Sequence, residues 1–366
     1  MPVTSQDTDR RVVVFGLGGT IAMNTATAGG VLPSLSAEQL IAAVPGLADT
    51  GIAVDAVSLQ NKPGASLSFA DLTDVAEAIR SELARGADGV VVVQGTDTIE
   101  ETAYLLDLGH PGPQPIVVTG AMRNPTLAGA DGPANILAAI QVAASRHTRD
   151  QGVLVVFADQ IHAARRVRKT HATSIATFDS PNGGPLGYLV EGRPVLLTRL
   201  DHRTVIPTAP DATTPAVALH TITFGDNGAL LAGIAERVDG LVVAAFGAGH
   251  VPEHLVPVLA DLATHIPVVL ASRTGSGPIL TATYAFDGSE RDLLERGLIP
   301  AGFLDPLKAR LLLHVLLAAG ADRTTLATAF AAAGGYTDPH TWPYPPATDQ
   351  RPDVAGSASE ARAAHA

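Results

Sequence analysis

Cysteine is absent from the chain, which excludes disulfides, thiolate metal ligation and a cysteine nucleophile together. Lysine is nearly absent: Lys62, Lys169 and Lys308 are the only three, and arginine carries the rest of the positive charge. Acidic residues outnumber basic ones, 36 to 24, so the net charge is -12 and the basic footprint of a nucleic-acid or anionic-membrane binder is missing. No stretch reaches the ~18 uninterrupted apolar residues of a membrane span, and the polar Met1 to Arg11 leads into no secretory-type apolar run. A soluble cytoplasmic protein with a small-molecule partner, no nucleic acid and no membrane, is the expectation.

What is present is a large apolar fraction, 46% of 366 residues, enough at ~150 residues per domain for roughly two cores. It falls into short runs, each followed at once by small polar residues and then by a helix-like segment. Val12 to Phe15 leads into Gly16, Gly18, Gly19 and Thr20; Val90 to Val93 into Gln94, Gly95, Thr96 and Asp97; Ile116 to Val118 into Thr119 and Gly120. Val153 to Phe157, Leu241 to Phe246 and Val268 to Ala271 repeat the pattern. Runs apolar throughout suit strands covered on both faces, so the fold class is α/β. A larger N-terminal parallel-sheet domain and a smaller C-terminal α/β domain are expected.

Helix starts are written in the same way. Ser36 with Gln39, and Thr98 with Glu101, have capping-box spacing. Leu72, Val75, Ala76, Ile79 and Leu83 recur at helical spacing before Gly86, and Asp305 with Pro306 opens a helix that runs to Gly320. The Pro- and Thr-rich stretch at 201–215 reads as a linker between domains at 1–200 and 216–335. Residues 336–366 are rich in Pro and Ala without periodicity, predicting a loose tail, most clearly from Pro346 onward.

In open α/β sheets ligands bind beyond the carboxyl ends of the strands, which brings Thr20, Thr96, Asp97 and Thr119 to one crevice, with a basic cluster, Arg165 to Lys169, after the next strand. Hydroxyls, a carboxylate and a lysine together can activate a hydroxyl nucleophile. The glycines at 16, 18 and 19 could instead make a phosphate-binding turn, but they lack the third Rossmann glycine and the P-loop ending. On spacing alone a structural role for Asp97 stays open as the lesser reading, and Lys169 reads as solvated.

Four strings carry more: GLGGTIA at 16–22, QGTDTIEETAYLLDL at 94–108, VTGAMRNPTLAGADGPANI at 118–136 and KTHATSIATFDSPNGGPLGY at 169–188. In this order they resemble the bacterial type I/II L-asparaginase family, over a span from about Val12 to Phe330. The resemblance implies an amidohydrolase with a threonine nucleophile, no cofactor and no metal, assembled as a dimer of dimers with each site completed by a neighbour. It implies Thr20 as nucleophile and Thr96, Asp97 and Lys169 as the Thr-Asp-Lys set. Thr96 and Asp97 would also touch substrate, Asp97 at the α-ammonium, and Gln60 would lie by the α-carboxylate. His250 in GAGHV stands where the family has an asparagine near the site, and Tyr284 where some members have a glutamate.

Two positions depart from the pattern. Val31 stands where the family has a loop tyrosine, and Leu59 where much of it has a carboxylate-binding serine. Ser66 is a candidate replacement for that serine, and Tyr284 for the lost phenol. The expected function is therefore hydrolysis of L-asparagine, with minor activity on glutamine; a different amide is a further option. The alternative is an asparaginase-fold protein with weak or lost turnover that binds an amino acid or amide.

Overall fold

The computed structural model describes residues 10–19, 21, 23–25, 31–33, 35–207 and 214–344. The apolar runs become strands. The N-terminal part holds β1 (Arg11–Gly16), β2 (Met23–Thr25), β3 (Val31–Pro33), β4 (Ala53–Ser58), β5 (Gly89–Val93), β6 (Ile116–Thr119), β7 (Val153–Phe157), β8 (Gln160–Ala163), β9 (Arg168–Lys169), β10 (Phe178–Asp179), β11 (Gly187–Val190) and β12 (Arg193–Leu196). The C-terminal part holds β13 (Val217–Thr221), β14 (Gly240–Ala245), β15 (Val268–Ser272) and β16 (Ile299–Pro300). The helices are α1 (Ala37–Ala42), α2 (Phe69–Ala84), α3 (Ile99–Leu108), α4 (Gly132–Ala144), α5 (Val256–His265), α6 (Glu290–Glu295), α7 (Pro306–Ala318) and α8 (Arg323–Ala333).

Eight strands make the larger sheet in the order β12-β11-β8-β7-β6-β5-β1-β4. Its half from β7 to β4 is parallel, and β8, β11 and β12 add an antiparallel extension. A second sheet, β13-β14-β15-β16, is parallel throughout. These are the two α/β units that the apolar runs predict.

Alternate residues of one run serve opposite faces, as strand geometry requires. Val12, Val14, Val91 and Val93 pack with α4 on one face of the large sheet, while Val13, Phe15, Val90 and Val92 pack with α2 and α3 on the other. In the second sheet Val242 and Val269 face α7 and α8, and Leu241, Val243 and Leu270 face α5. Tyr104 and Leu108 of α3 join the α7 and α8 core, so the N-terminal unit packs against the C-terminal one.

The Ser36 and Gln39 capping box forms as expected. Thr98 does not cap with Glu101: its side chain makes no cap hydrogen bond, and the hydroxyl donates instead to Gly64 O at 3.1 Å. A second box, Ser68 with Asp71, opens α2. The segment read as a loose tail is packed over residues 336–344, where Trp342 is buried and its indole Nε1 donates to Val205 O at 2.9 Å. The remainder of that segment, 345–366, lies outside the described residues.

Candidate active site

Three loops converge at the carboxyl ends of β1, β4 and β5. Gly18 and Gly19 follow β1 with φ of 97° and 88°, a region that glycine enters without penalty. A Cβ on Gly18 would lie 2.8 Å from Lys62 N, one on Gly19 2.2 Å from Gly95 N, and one on Gly64 2.9 Å from Gly95 O. Backbone thus rests on backbone. Thr20 itself lies outside the described residues, as does Val31 beyond its main-chain pairing with Thr25.

Gly95 leads into a 3-10 turn, Thr96–Thr98, that runs directly into α3. The turn is held from beneath, because Gln94 Nε2 donates to Thr98 Oγ1 at 3.2 Å and Thr98 is bound to Gly64. Thr96 is buried and Asp97 exposed. Lys169 reaches both from β9: its Nζ donates to Thr96 Oγ1 at 3.0 Å and to Asp97 Oδ1 at 2.7 Å. Its side chain is 15% exposed against 68% for Asp97, so the ammonium sits at the floor of an open site. Because the Thr96 hydroxyl accepts from Lys169, its own O–H remains available to donate.

The other candidates are placed differently. Thr119 is fully buried and donates to Val156 O at 2.7 Å, a role inside the sheet. Gln60 turns its amide to Asp71, Nε2 to Oδ1 at 2.9 Å, and Lys62 meets the same oxygen at 2.7 Å. With Lys62, Ser68 and Gln60 all hydrogen-bonded to it, the Asp71 carboxyl is held well below the usual carboxylate range. Ser66 is exposed in the turn Gly64–Ser66, and Ser68 is occupied in capping α2.

Tyr284 and His250 meet each other in the C-terminal unit, rings edge to face at 4.9 Å, with no hydrogen bond to Thr96, Asp97 or Lys169. His250 Nε2 lies 3.2 Å from Glu290 Oε2, and the amides of Thr283 and Tyr284 donate to the other oxygen. Against the upward push of burial, these partners hold the Glu290 carboxyl below its ordinary value.

Glu100 and Lys308 were not singled out by spacing. Glu100 Oε1 accepts from Lys169 N at 3.3 Å, and its Oε2 lies 3.4 Å from the fully buried Lys308 Nζ. Burial pushes the Glu100 carboxyl up, opposed by Lys308. Asp305, closer at 2.9 Å, stays below its ordinary value because the ammonium outweighs its burial. Among the described residues no group of three or more His, Asp or Glu side chains is arranged to hold a metal ion, and no helix is long and apolar enough to cross a membrane.

Residues 11–201 match the family model described as Asparaginase, N-terminal, and residues 216–330 the one described as Glutaminase/Asparaginase C-terminal domain. A probable L-asparaginase of Deinococcus radiodurans is 40% identical over 325 residues, which is 87% of this chain and 97% of that one. L-asparaginase 2 of Escherichia coli is 32% identical over 321 residues, 84% of this chain and 88% of that one. The crystal structure of a probable cytoplasmic L-asparaginase from Campylobacter jejuni has a TM-score of 0.78 to this fold at 31% identity, covering 88% of this chain and 99% of that chain.

Proposed function

Because the chain belongs to the asparaginase family, we propose that it hydrolyses the side-chain amide of L-asparagine to L-aspartate and ammonia, with L-glutamine a minor substrate. The observation that carries this reading is the Lys169 ammonium, bound at once to the Thr96 hydroxyl and the Asp97 carboxylate. A binding module needs neither a lysine on a buried hydroxyl nor a free O–H beside it. A hydrolase needs both, to orient and activate water.

In the proposed reaction Thr20, next in the chain after Gly19, attacks the amide carbon. As the C–O bond forms, its hydroxyl proton passes through water to the amide nitrogen, and backbone amides of the glycine-rich turn receive the charge that develops on the carbonyl oxygen. Collapse breaks the C–N bond, and ammonia leaves with the proton it gains. The acyl-threonine ester is then hydrolysed by a water held by Thr96 with Lys169 and Asp97 behind it. Asp97, whose Oδ1 is engaged by Lys169, offers its other oxygen to the substrate α-ammonium. The loop that carries Gln60 lies by the α-carboxylate, and a neighbouring copy brings Tyr284 and His250 to the site in a dimer of dimers.

Ammonia release from L-asparagine, L-glutamine and D-asparagine by the purified chain tests this, beside Thr20→Ala and Lys169→Ala. Release from L-asparagine that disappears in both variants is the expected result. A folded protein that releases none from any of the three, yet binds L-asparagine by calorimetry, would establish the binding module instead.

A further inference from the structure

Lys169 is carried by a strand too short to hold its own position. β9 is two residues long and pairs with the two residues of β10, extended by one main-chain bond from Thr170 N to Thr177 O at 2.8 Å, and isolated two-stranded ribbons are marginal even when longer. The segment is also held at three successive residues by groups from elsewhere, through the main chain at Val167 and Lys169 and through the side chain at Arg168. Val167 O accepts from Lys308 Nζ at 2.6 Å, Arg168 Nη1 donates to Gly275 O at 2.7 Å, and Lys169 N donates to Glu100 Oε1 at 3.3 Å. Lys308 joins the outer two anchors, since it also meets Glu100, and Asp305 fixes it from the preceding turn at 2.9 Å.

The three charged groups are dry: Lys308 is fully buried and its two carboxylate partners nearly so. Removing three charges from water costs several kcal/mol per ion before pairing is counted, so such a triad is a poor device for stability alone. Its geometry fits another use. Glu100 follows Thr96 and Asp97 by one turn of chain, so a single side chain refers the Lys169 backbone to the segment whose hydroxyl and carboxylate Lys169 must reach.

We propose that Lys308, acting with Glu100 and Asp305, is a positioning residue that sets the register of Lys169 against Thr96. The inference rests on the hydrolase reading for its catalytic consequence, but not for its structural one. Misplacement of a working group by about 1 Å can cost about 10²-fold in rate. Lys308→Met should therefore lower kcat for ammonia release about 10²-fold while KM stays within about threefold.

The chain offers an independent readout, because its three lysines report separately. Lys62 is 47% exposed, Lys169 15% and Lys308 0%. Acetylation by an N-hydroxysuccinimide ester, followed peptide by peptide in a mass spectrometer, gives the reactivity of Lys169 relative to Lys62. Lys308→Met should raise that ratio about threefold or more as the β9 anchor opens. Glu100→Gln, which keeps the shape, is read in the same way and serves alone if Lys308→Met does not fold. Phe69→Leu, which removes the 3.8 Å stack on His314 and leaves β9 untouched, is the control for general destabilisation. The proposal is overturned if the folded variants keep the parent reactivity ratio, or if their kcat falls no further than that of Phe69→Leu. A raised ratio in a protein that releases no ammonia would retain the positioning role and remove the hydrolase reading.

Discussion

Gly19 and Gly95 stand back to back: a Cβ on Gly19 would lie 2.2 Å from Gly95 N and 2.3 Å from its Cα. The contact joins the loop after β1 to the loop after β5, which carries Thr96 and Asp97. Gly19→Ala meets this overlap and also a φ of 88°, which alone costs a non-glycine residue about 1–3 kcal/mol. The expected outcome is a lower urea midpoint and loss of ammonia release. A variant with the parent midpoint and turnover would show that these loops are free to separate.

Thr96→Val keeps the shape of a buried side chain and removes the oxygen that Lys169 meets at 3.0 Å. Turnover should fall about 10²- to 10⁴-fold, the range for a lost catalytic hydrogen bond, with a smaller change in KM. Steady-state kinetics on L-asparagine check this. Parent turnover would remove Thr96 from the reaction.

Within one chain Tyr284 makes no hydrogen bond to Lys169; its ring lies against His250, and the residue is 43% exposed. As the proposed replacement for the phenol missing at Val31, it acts only on a neighbour's site. Tyr284→Phe should then reduce turnover about 10²-fold without moving the melting temperature, and specific activity should fall on dilution below the dissociation constant of the assembly. Unchanged turnover would end the replacement idea, and a fully active monomer the shared site.

Acid stability should carry the mark of His162. The imidazole is fully buried on β8, bonded through Nδ1 to Ser180 Oγ at 2.9 Å, and burial pushes it down to about 4. Between that value and the ordinary ~6.5 the unfolded chain takes up a proton that the folded chain refuses. Stability is therefore whole above about pH 6.5 and declines toward pH 4, by up to ~3 kcal/mol from this group. His110 and His314, also lowered by burial, act in the same direction. Urea unfolding across this range should show a shallower slope for His162→Gln, and equal slopes would contradict the assignment.

The strands were legible because parallel strands with both faces covered are written as unbroken apolar runs, and Val90 to Val93 is fully buried as such a run requires. Thr96 and Asp97 were legible because strand ends in one sheet must share an edge, whereas Lys169, carried by the separate β9–β10 ribbon, was legible only through the resemblance of its motif. Partner choice was not. Identical cap spacing gives a box at Ser36 and none at Thr98, because Thr98 Oγ1 accepts from Gln94 Nε2 rather than from a helix amide and its backbone is not extended as that of Ser36 is. The Ser68 box is not written in the usual signature, because its third helical residue is Asp71 rather than Glu or Gln. Glu100 and Lys308 are 208 residues apart, and nothing in either neighbourhood announces a buried ion pair. Gln60 faces Asp71 in this structure, a choice made by a helix cap rather than by any substrate.

The outermost strands of the large sheet bear on how the chain avoids its own copies. β4 ends one side and β12 the other, and beside β12 the side chains of Val195 and Leu197 are exposed. An open sheet edge with apolar side chains invites another strand to zip onto it. Here β12 is four residues long and begins with Arg193 and Pro194, the first charged and the second without an amide hydrogen to offer, while β4 carries Asp55 at its middle, 59% exposed and bonded to Arg11. These three residues oppose strand addition at both margins, so Pro194→Val should be felt in the storage life of a concentrated solution before it is felt in ammonia release.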